Sequence, residues 1–316
     1  MENKNDNAVG DGVDRRNFLK CMAWVGTGMI WTIRGGVLSS RAFGADVAGA
    51  AETSDFTFVQ ISDSHIGFAK EPNKDVTGTL KLAIDRINAL GTRPDLLIHT
   101  GDLTHLSKAA EFDTVDQVLK GAKVGERFYV PGEHDVFADE AKAYLDRYGK
   151  GAKGLGWHSY THRGVHFVGL VNVANLKPGG LGTLGREQLE WLRKDLEGLG
   201  SSTPLVVYAH VPLWTIYPKW GWGTEDSAAA LDLMKTFGSV TVLNGHIHQV
   251  MQKTEGNVTF HTGRSTAFPQ PEPGKAESPG PIKNVAADKL RGMLGLAEVK
   301  YTQSQHTLAV VDATLE

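Results

Sequence analysis

Short apolar segments that end in carboxylate or imidazole groups constrain this 316-residue chain more than any other feature. Phe56-Thr57-Phe58-Val59-Gln60-Ile61-Ser62 runs into Asp63-Ser64-His65. Asp95 to His99 runs into Gly101-Asp102, and Arg127 to Val130 into Gly132-Glu133-His134-Asp135. Leu205 to Ala209 is followed by His210, and Val240 to Leu243 by Asn244-Gly245-His246-Ile247-His248. Such short runs, rich in Val, Ile, Leu and Phe, read as buried strands. Between the first of them, Leu80, Ala83, Ile84, Ile87 and Leu90 recur at helical spacing up to Gly91, and Ala110 to Lys120 reads as a second helix. Alternating strands and helices argue for a parallel sheet with crossover helices.

In open α/β sheets, ligand sites form outside the carboxyl ends of the strands, and here those ends carry the metal-ligating residue types. On an extended backbone, Asp63 and His65 would leave the chain on one side, as would His246 and His248. Gly101, Gly132 and Gly245 permit sharp turns beside them. Asp63, His65, Asp102, Glu133, His210, His246 and His248 are too many ligands for one tetrahedral zinc. They suit two metals sharing a carboxylate, a pair that clamps a phosphoryl group and generates a hydroxide nucleophile. Imidazole with carboxylate favours Fe, Mn or Zn over an all-oxygen calcium site. The single cysteine, Cys21, excludes intramolecular disulfides and cysteine-rich zinc sites.

The ordered set resembles the calcineurin-like metallophosphoesterases, whose pattern is Asp-x-His, Gly-Asp, Gly-Asn-His-Asp or -Glu, His, and Gly-His-x-His. The resemblance runs from about Phe56 to Pro269. It implies a four-layer α/β/β/α sandwich of two mixed central sheets flanked by helices, holding two divalent or mixed-valence transition metal ions. It assigns Asp63, His65, Asp102 and His248 to one metal, and Asp102, Glu133, His210 and His246 to the other, with Asp102 bridging. His134 would contact the phosphate rather than a metal, and Asp135 could orient the His134 imidazole. The chain departs from the pattern at Glu133, where the family usually has Asn. A carboxylate there adds negative charge, which binds cations more tightly and repels a phosphate dianion more than a diester monoanion. The expected activity is hydrolysis of phosphate esters, chiefly phosphodiesters, by a metal-bridging hydroxide. The chain length and motif spacing look most like the cyclic-nucleotide phosphodiesterase branch. The alternatives are a phosphomonoesterase and, on the strength of Glu133, a catalytically weak metal-binding envelope protein.

The first fifty residues read as an export signal, leaving residues 51–316 as the metallophosphoesterase domain. Asp14-Arg15-Arg16-Asn17-Phe18-Leu19-Lys20 resembles a twin-arginine signal. An apolar stretch from about Cys21 to Leu38 follows, then small residues with candidate cleavage sites at Ala42-Phe43-Gly44 and Ala48-Gly49-Ala50. Arg34 and the glycines at 26, 28, 35 and 36 disfavour a stable membrane span. The expected partners are the twin-arginine export machinery and a phosphate-ester substrate, and the expected location is the periplasm or the exterior of a bacterium. A net charge of −3 offers no global electrostatic case for nucleic acid. The apolar pattern marks no dimer face.

Trp157 to His162 and Val165 to Val171 read as a hairpin turning at Arg163-Gly164, and Leu184 to Leu196 as a helix. Beyond Gly245, strands are expected at 249–253, 258–262, 296–302 and 307–311, and the proline-rich stretch from Phe268 to Pro281 reads as a surface connection or, alternatively, as a lid over the site. Trp214, Tyr217, Trp220 and Trp222 read equally as an aromatic wall beside the site or as loop packing. His99 reads as a core residue, and His158, His162 and His166 as surface or packing residues. His105 could approach the site, and His261 could support it from behind.

Overall fold

The structure is a computed structural model that describes residues 27–34, 37–44 and 54–316, except 137, 139, 140, 175 and 306. The chain divides into two compact units, Met1–Glu52 and Thr53–Glu316. In the first, β1 (Thr27–Arg34) and β2 (Val37–Gly44) pair antiparallel, with Thr27 opposite Gly44. Arg15, Arg16, Cys21 and Ala48-Gly49-Ala50 lie outside the described residues. Among the described residues, no helix is long and apolar enough to cross a membrane.

In the second unit, β3 (Phe56–Ile61), β4 (Leu96–His99) and β5 (Glu126–Tyr129) run parallel. They are joined by α1 (Val76–Asn88) and α2 (Ala109–Leu119). The Asp75 carboxylate caps α1 by accepting from the Gly78 backbone at 2.8 Å. This explains why the helix starts before its apolar repeat. Two antiparallel strands from the end of the unit, β12 (Gly295–Thr302) and β13 (Thr307–Thr314), complete a sheet of order β13-β12-β3-β4-β5.

The second sheet has the order β10-β11-β9-β8-β7-β6. The hairpin of β6 (His158–His162) and β7 (Val165–Gly169) turns at Arg163 and Gly164, both at positive φ. β7, β8 (Leu205–Ala209), β9 (Val240–Asn244) and β11 (Val258–Thr262) run parallel, and β10 (Gln252–Glu255) is an exposed antiparallel edge.

Strand periodicity builds the layers. Phe56 and Phe58 of β3 and Leu96 and Ile98 of β4 pack against Phe167, Val206, Tyr208 and Leu243 of the other sheet. On its opposite face the first sheet places Val59, Ile61 and Leu97 against Leu80, Ile84, Phe112 and Val115 of α1 and α2. The second sheet places Val207, Ala209 and Val242 against Leu192 and Leu196 of α5 (Arg186–Leu196) and Ala230 and Met234 of α6 (Ser227–Met234). The result is a four-layer α/β/β/α sandwich of two mixed sheets. Phe58 and Phe167 meet edge-on at 5.4 Å in the central layer. Removing either ring would cost about 3–5 kcal/mol.

Short helices that the sequence reading did not separate from loops complete the unit. They are α3 (Glu133–Val136), α4 (Lys142–Tyr148), α6 and α7 (Ala287–Met293). The first two and the last are too short for a 3.6-residue repeat to show.

Candidate metal centre

Each strand that was expected to carry a ligand group ends within a few residues of it. Asp63 and His65 follow β3, Asp102 follows β4, Glu133 opens α3 after β5, His210 follows β8, and His246 and His248 follow β9. The backbone there is not extended, contrary to the geometry expected from the two-residue spacing. Asp63 (φ 53), His65 (φ 40), Asp102 (φ 53), His246 (φ 70) and His248 (φ 54) all occupy the left-handed region. Each such non-glycine residue costs about 1–3 kcal/mol and persists only when its surroundings hold it there.

Those surroundings are specific. The loops after β3 and β4 lie side by side, with Asp63 N donating to Gly101 O at 2.9 Å, His65 N to Asp102 O at 2.9 Å and Ile66 N to Leu103 O at 3.0 Å. His246 N donates to Asp63 Oδ1 at 3.1 Å. His134 N donates to Asp102 Oδ1 at 2.9 Å. The approach at Gly132 admits no side chain: a Cβ there would sit 2.1 Å from Asp102 Oδ1 and 2.4 Å from Asp102 N.

The donor atoms form two groups. In one, His248 Nε2 lies 3.2 Å from Asp63 Oδ1 and 3.2 Å from His65 Nε2. In the other, Glu133 Oε2 lies 3.0 Å from His210 Nε2, and Glu133 Oε1 lies 3.1 Å from His246 Nδ1. Asp102 Oδ2 stands between them, 3.4 Å from His65 Nε2 and 3.4 Å from His210 Nε2. The sets Asp63/His65/His248, Glu133/His210/His246 and Asp63/Asp102/His210 each bring their ligand atoms within 4.8 Å of one another.

The outer nitrogens of three imidazoles are anchored. His210 Nδ1 donates to Thr100 O at 2.7 Å and His248 Nδ1 to Phe268 O at 2.6 Å, which leaves Nε2 of each for the site. His134 Nδ1 donates to His105 O at 2.8 Å. The His105 ring lies over that of His134, centroids 4.8 Å apart and planes 15° apart, and its Nδ1 is 3.4 Å from His65 Nδ1. His105 therefore does approach the site. Phe268, which nothing in the pattern marked, stacks on His65 at 4.8 Å and touches His248 at 4.6 Å.

The ionisation pattern tests whether cations fit here. Burial raises the Asp63 pKa, but the charges of His248 and His210 outweigh it and bring it to about 2. Burial opposes ionisation of Glu133 too, yet His246 and His210 hold it well below the usual range. His65 is held well below its ordinary range by burial and by the neighbouring imidazoles of His134, His248 and His105. For His210, burial favours the neutral ring, but Asp102 and Glu133 drive its pKa well above the ordinary value. Converging buried carboxylates demand positive charge. Glu133 Oε2 is buried, with the His210 imidazole 3.0 Å away. These donors fit two divalent cations.

Asp135 also has a structural role that the motif did not show. It is fully buried, and its carboxylate faces the backbone: Oδ2 accepts from Gly132 N at 2.9 Å and Leu103 N at 3.0 Å, and Oδ1 from Thr104 N at 2.8 Å and Thr104 Oγ1 at 2.9 Å. Burial and the Asp102 charge push its pKa up to about 7. It pins the loops after β4 and β5 together, while the His105 carbonyl orients His134.

Residues 56–250 match the family model described as calcineurin-like phosphoesterase. The chain belongs to that family. The match and the side-chain clusters point to a metal-dependent phosphoesterase using divalent metal ions. Over 167 residues the chain is 29% identical to a "probable glycerophosphodiester phosphodiesterase" of Arcobacter nitrofigilis, which is 49% of this chain and 57% of that protein. The chain thus spans little more than half of that relative. Over 218 residues it is 26% identical to a "probable cyclic nucleotide phosphodiesterase" of Ruthia magnifica, covering 67% of this chain and 86% of that protein. The fold is similar to the purple acid phosphatase PPD1 of yellow lupin (TM-score 0.62, 14% identity, 88% of this chain and 54% of that chain). It is also similar to a dimetal phosphatase of Danio rerio (TM-score 0.54, 14% identity, 83% and 99%).

A cleft of about 570 Å³ opens beside Glu133, His134 and His246. Trp220 and Trp222 line it, whereas Trp214 packs on Phe260 in the core at 5.0 Å, so the aromatic segment divides between both readings. Gln270, Pro279 and Gly280 also line it, so the proline-rich connection forms one wall. His99 is a core residue, bonded to Ser64 Oγ at 2.8 Å. His166 pairs with Asp195 at 2.9 Å. His261 pairs with Asp312 at 3.0 Å, on a strand of the other sheet.

Proposed function

We propose that this protein is an exported, dinuclear-metal phosphodiesterase. The observation that carries the reading is Asp102 Oδ2 at equal distance from His65 and His210, between two ligand groups, with Glu133 and His246 of the second group lining the cleft. Asp63, His65, Asp102 and His248 would hold one metal, and Asp102, Glu133, His210 and His246 the other. Bound there, the metals supply neutralisation of phosphoryl charge and activation of water. The chain's own residues do the rest. His134, its Nδ1–H fixed on the His105 carbonyl, presents the imidazole to the cleft, where it can contact a phosphoryl oxygen or protonate the leaving alkoxide. Burial lowers its pKa, but the Asp102 and Glu133 carboxylates outweigh this and raise it.

Glu133 supports a diester over a monoester. It adds a carboxylate beside Asp63 and Asp102, and a monoester dianion meets more repulsion there than a diester monoanion. The names of the two sequence relatives point the same way. The arginine pair, apolar stretch and small residues of the first fifty positions support export to the periplasm or beyond, with cleavage near Ala50.

The test is hydrolysis of bis(p-nitrophenyl) phosphate by the full chain loaded with manganese, with metal content measured. Turnover that disappears in His134→Ala is expected. Hydrolysis of p-nitrophenyl phosphate alone, with two metals bound, would overturn the diester reading. Mass spectrometry of protein recovered from an exporting host tests the signal, and an intact Met1-to-Ala50 segment would refute cleavage.

A further inference from the structure

We propose that the cleft beside His134 and His246 binds one alcohol substituent of the diester, and that this substituent is bulky and largely apolar. The inference rests on the phosphodiester reading above. Asp63, His65 and His248 are buried and do not line the cleft. A phosphate at the centre therefore meets solvent on the side of Glu133, His134 and His246, and its substituent extends along the wall beyond them.

That wall is built from Val136, Val173, Leu176, Trp220, Trp222 and Pro279. Among the described lining residues, Lys177 is the one ammonium or guanidinium, and it is exposed at the rim. Glu133 is the one carboxylate, and it belongs to the metal set. A small cationic head group would find no other anion to pair with, and a methyl group would leave most of the volume to water.

The wall is also preformed. Trp220 and Trp222 meet edge-to-face at 5.1 Å and are 6% and 1% exposed. They pack on Ile247, which lies between the ligands His246 and His248, so they cannot swing away without moving those ligands. Gln270 Nε2 donates to His246 O at 3.1 Å and ties the opposite wall to the same loop. A rigid apolar wall returns binding energy for apolar area without ordering cost. Part of that energy appears in kcat/KM.

The test uses diesters of p-nitrophenol that share leaving group and phosphate charge and differ in the second substituent: methyl, choline, dodecyl and thymidine-5′. With the manganese-loaded full chain, dodecyl or thymidine should exceed methyl by about tenfold or more in kcat/KM, with choline showing no gain. A gain for dodecyl alone points to lipid-derived substrates, and for thymidine alone to nucleoside-derived ones. Ala174→Glu and Pro279→Glu, at exposed lining positions, should narrow the ratio, which does not depend on the fraction of folded enzyme. Dodecyl methylphosphonate should change tryptophan fluorescence in the wild type and not in Trp220→Phe. Equal rates for the four diesters, a preference for choline, an unmoved ratio in both variants, or no fluorescence change would overturn the inference while leaving the phosphodiesterase reading intact. Hydrolysis of none of the diesters would instead overturn that reading, and this inference with it.

Discussion

Replacing Gly132 by alanine probes how tightly the two halves of the metal centre are locked. The added Cβ would lie 2.4 Å from the Asp102 backbone nitrogen and 2.1 Å from Asp102 Oδ1. Ordinary contact begins near 3.4 Å, so the loops after β4 and β5 must part by about 1 Å. A rotamer change cannot supply this, because one clashing atom is backbone. The bonds across the gap are His134 N to Asp102 Oδ1 (2.9 Å), Leu103 N to Asp135 Oδ2 (3.0 Å) and Thr104 N to Asp135 Oδ1 (2.8 Å). These three, among others that join the loops, end on carboxylates, and losing two of them costs about 3–6 kcal/mol. For a domain of this size that is about 10 °C in Tm or more. Gly245→Ala is the control. Its closest clash is with the Ser62 hydroxyl at 2.0 Å, and removing that hydroxyl in Ser62→Ala/Gly245→Ala should recover part of the loss. Calorimetry of metal-free protein and elemental analysis of loaded protein make the measurement. Gly132→Ala melting within 2 °C of wild type with both metals retained would refute the argument that this approach is rigid.

Further outcomes follow from the same geometry. Asp102→Ala should lose both metals while His248→Ala loses one, as read by elemental analysis; equal losses would remove Asp102 from its sharing position. Glu133→Asn should shift the rate ratio of p-nitrophenyl phosphate to bis(p-nitrophenyl) phosphate about tenfold toward the monoester, through one less negative charge at the cleft; an unchanged ratio would separate Glu133 from substrate choice. Burial holds the His158 imidazole below its ordinary range, neutral between Gly156 O at 2.8 Å and the Tyr208 hydroxyl at 2.6 Å. The unfolded chain takes up this proton near pH 6.5 and the folded chain does not, so stability present above about pH 6.5 falls on acidification. His158→Gln should flatten that slope by at most about 1.4 kcal/mol per pH unit, as followed by urea unfolding from pH 7 to 5.

Local chemistry decided much of this protein. The β-branched and aromatic runs at 56–61, 205–209 and 258–262 are strands because nothing else buries them so well, and each appears at its expected position. The polar groups that follow the strands at 56–61, 96–99, 126–129, 205–209 and 240–244 emerge at the carboxyl ends of the two sheets, and Asp63, Asp102, Glu133, His210 and His246 meet there. Tertiary structure decided what short-range patterns do not encode. The left-handed turns at Asp63, His65, His246 and His248 exist because hydrogen bonds from distant loops hold them, where the two-residue spacing suggested extended chain. Asp135 pins two loops because four donors from Gly132, Leu103 and Thr104 converge on it once β4 and β5 are side by side. Phe268 reached His65 only through chain closure over some two hundred residues, and Pro279 the cleft beside Glu133 over more than a hundred. Strand periodicity acts between neighbours, whereas the shape of the cleft depends on which distant loops share the same sheet edge.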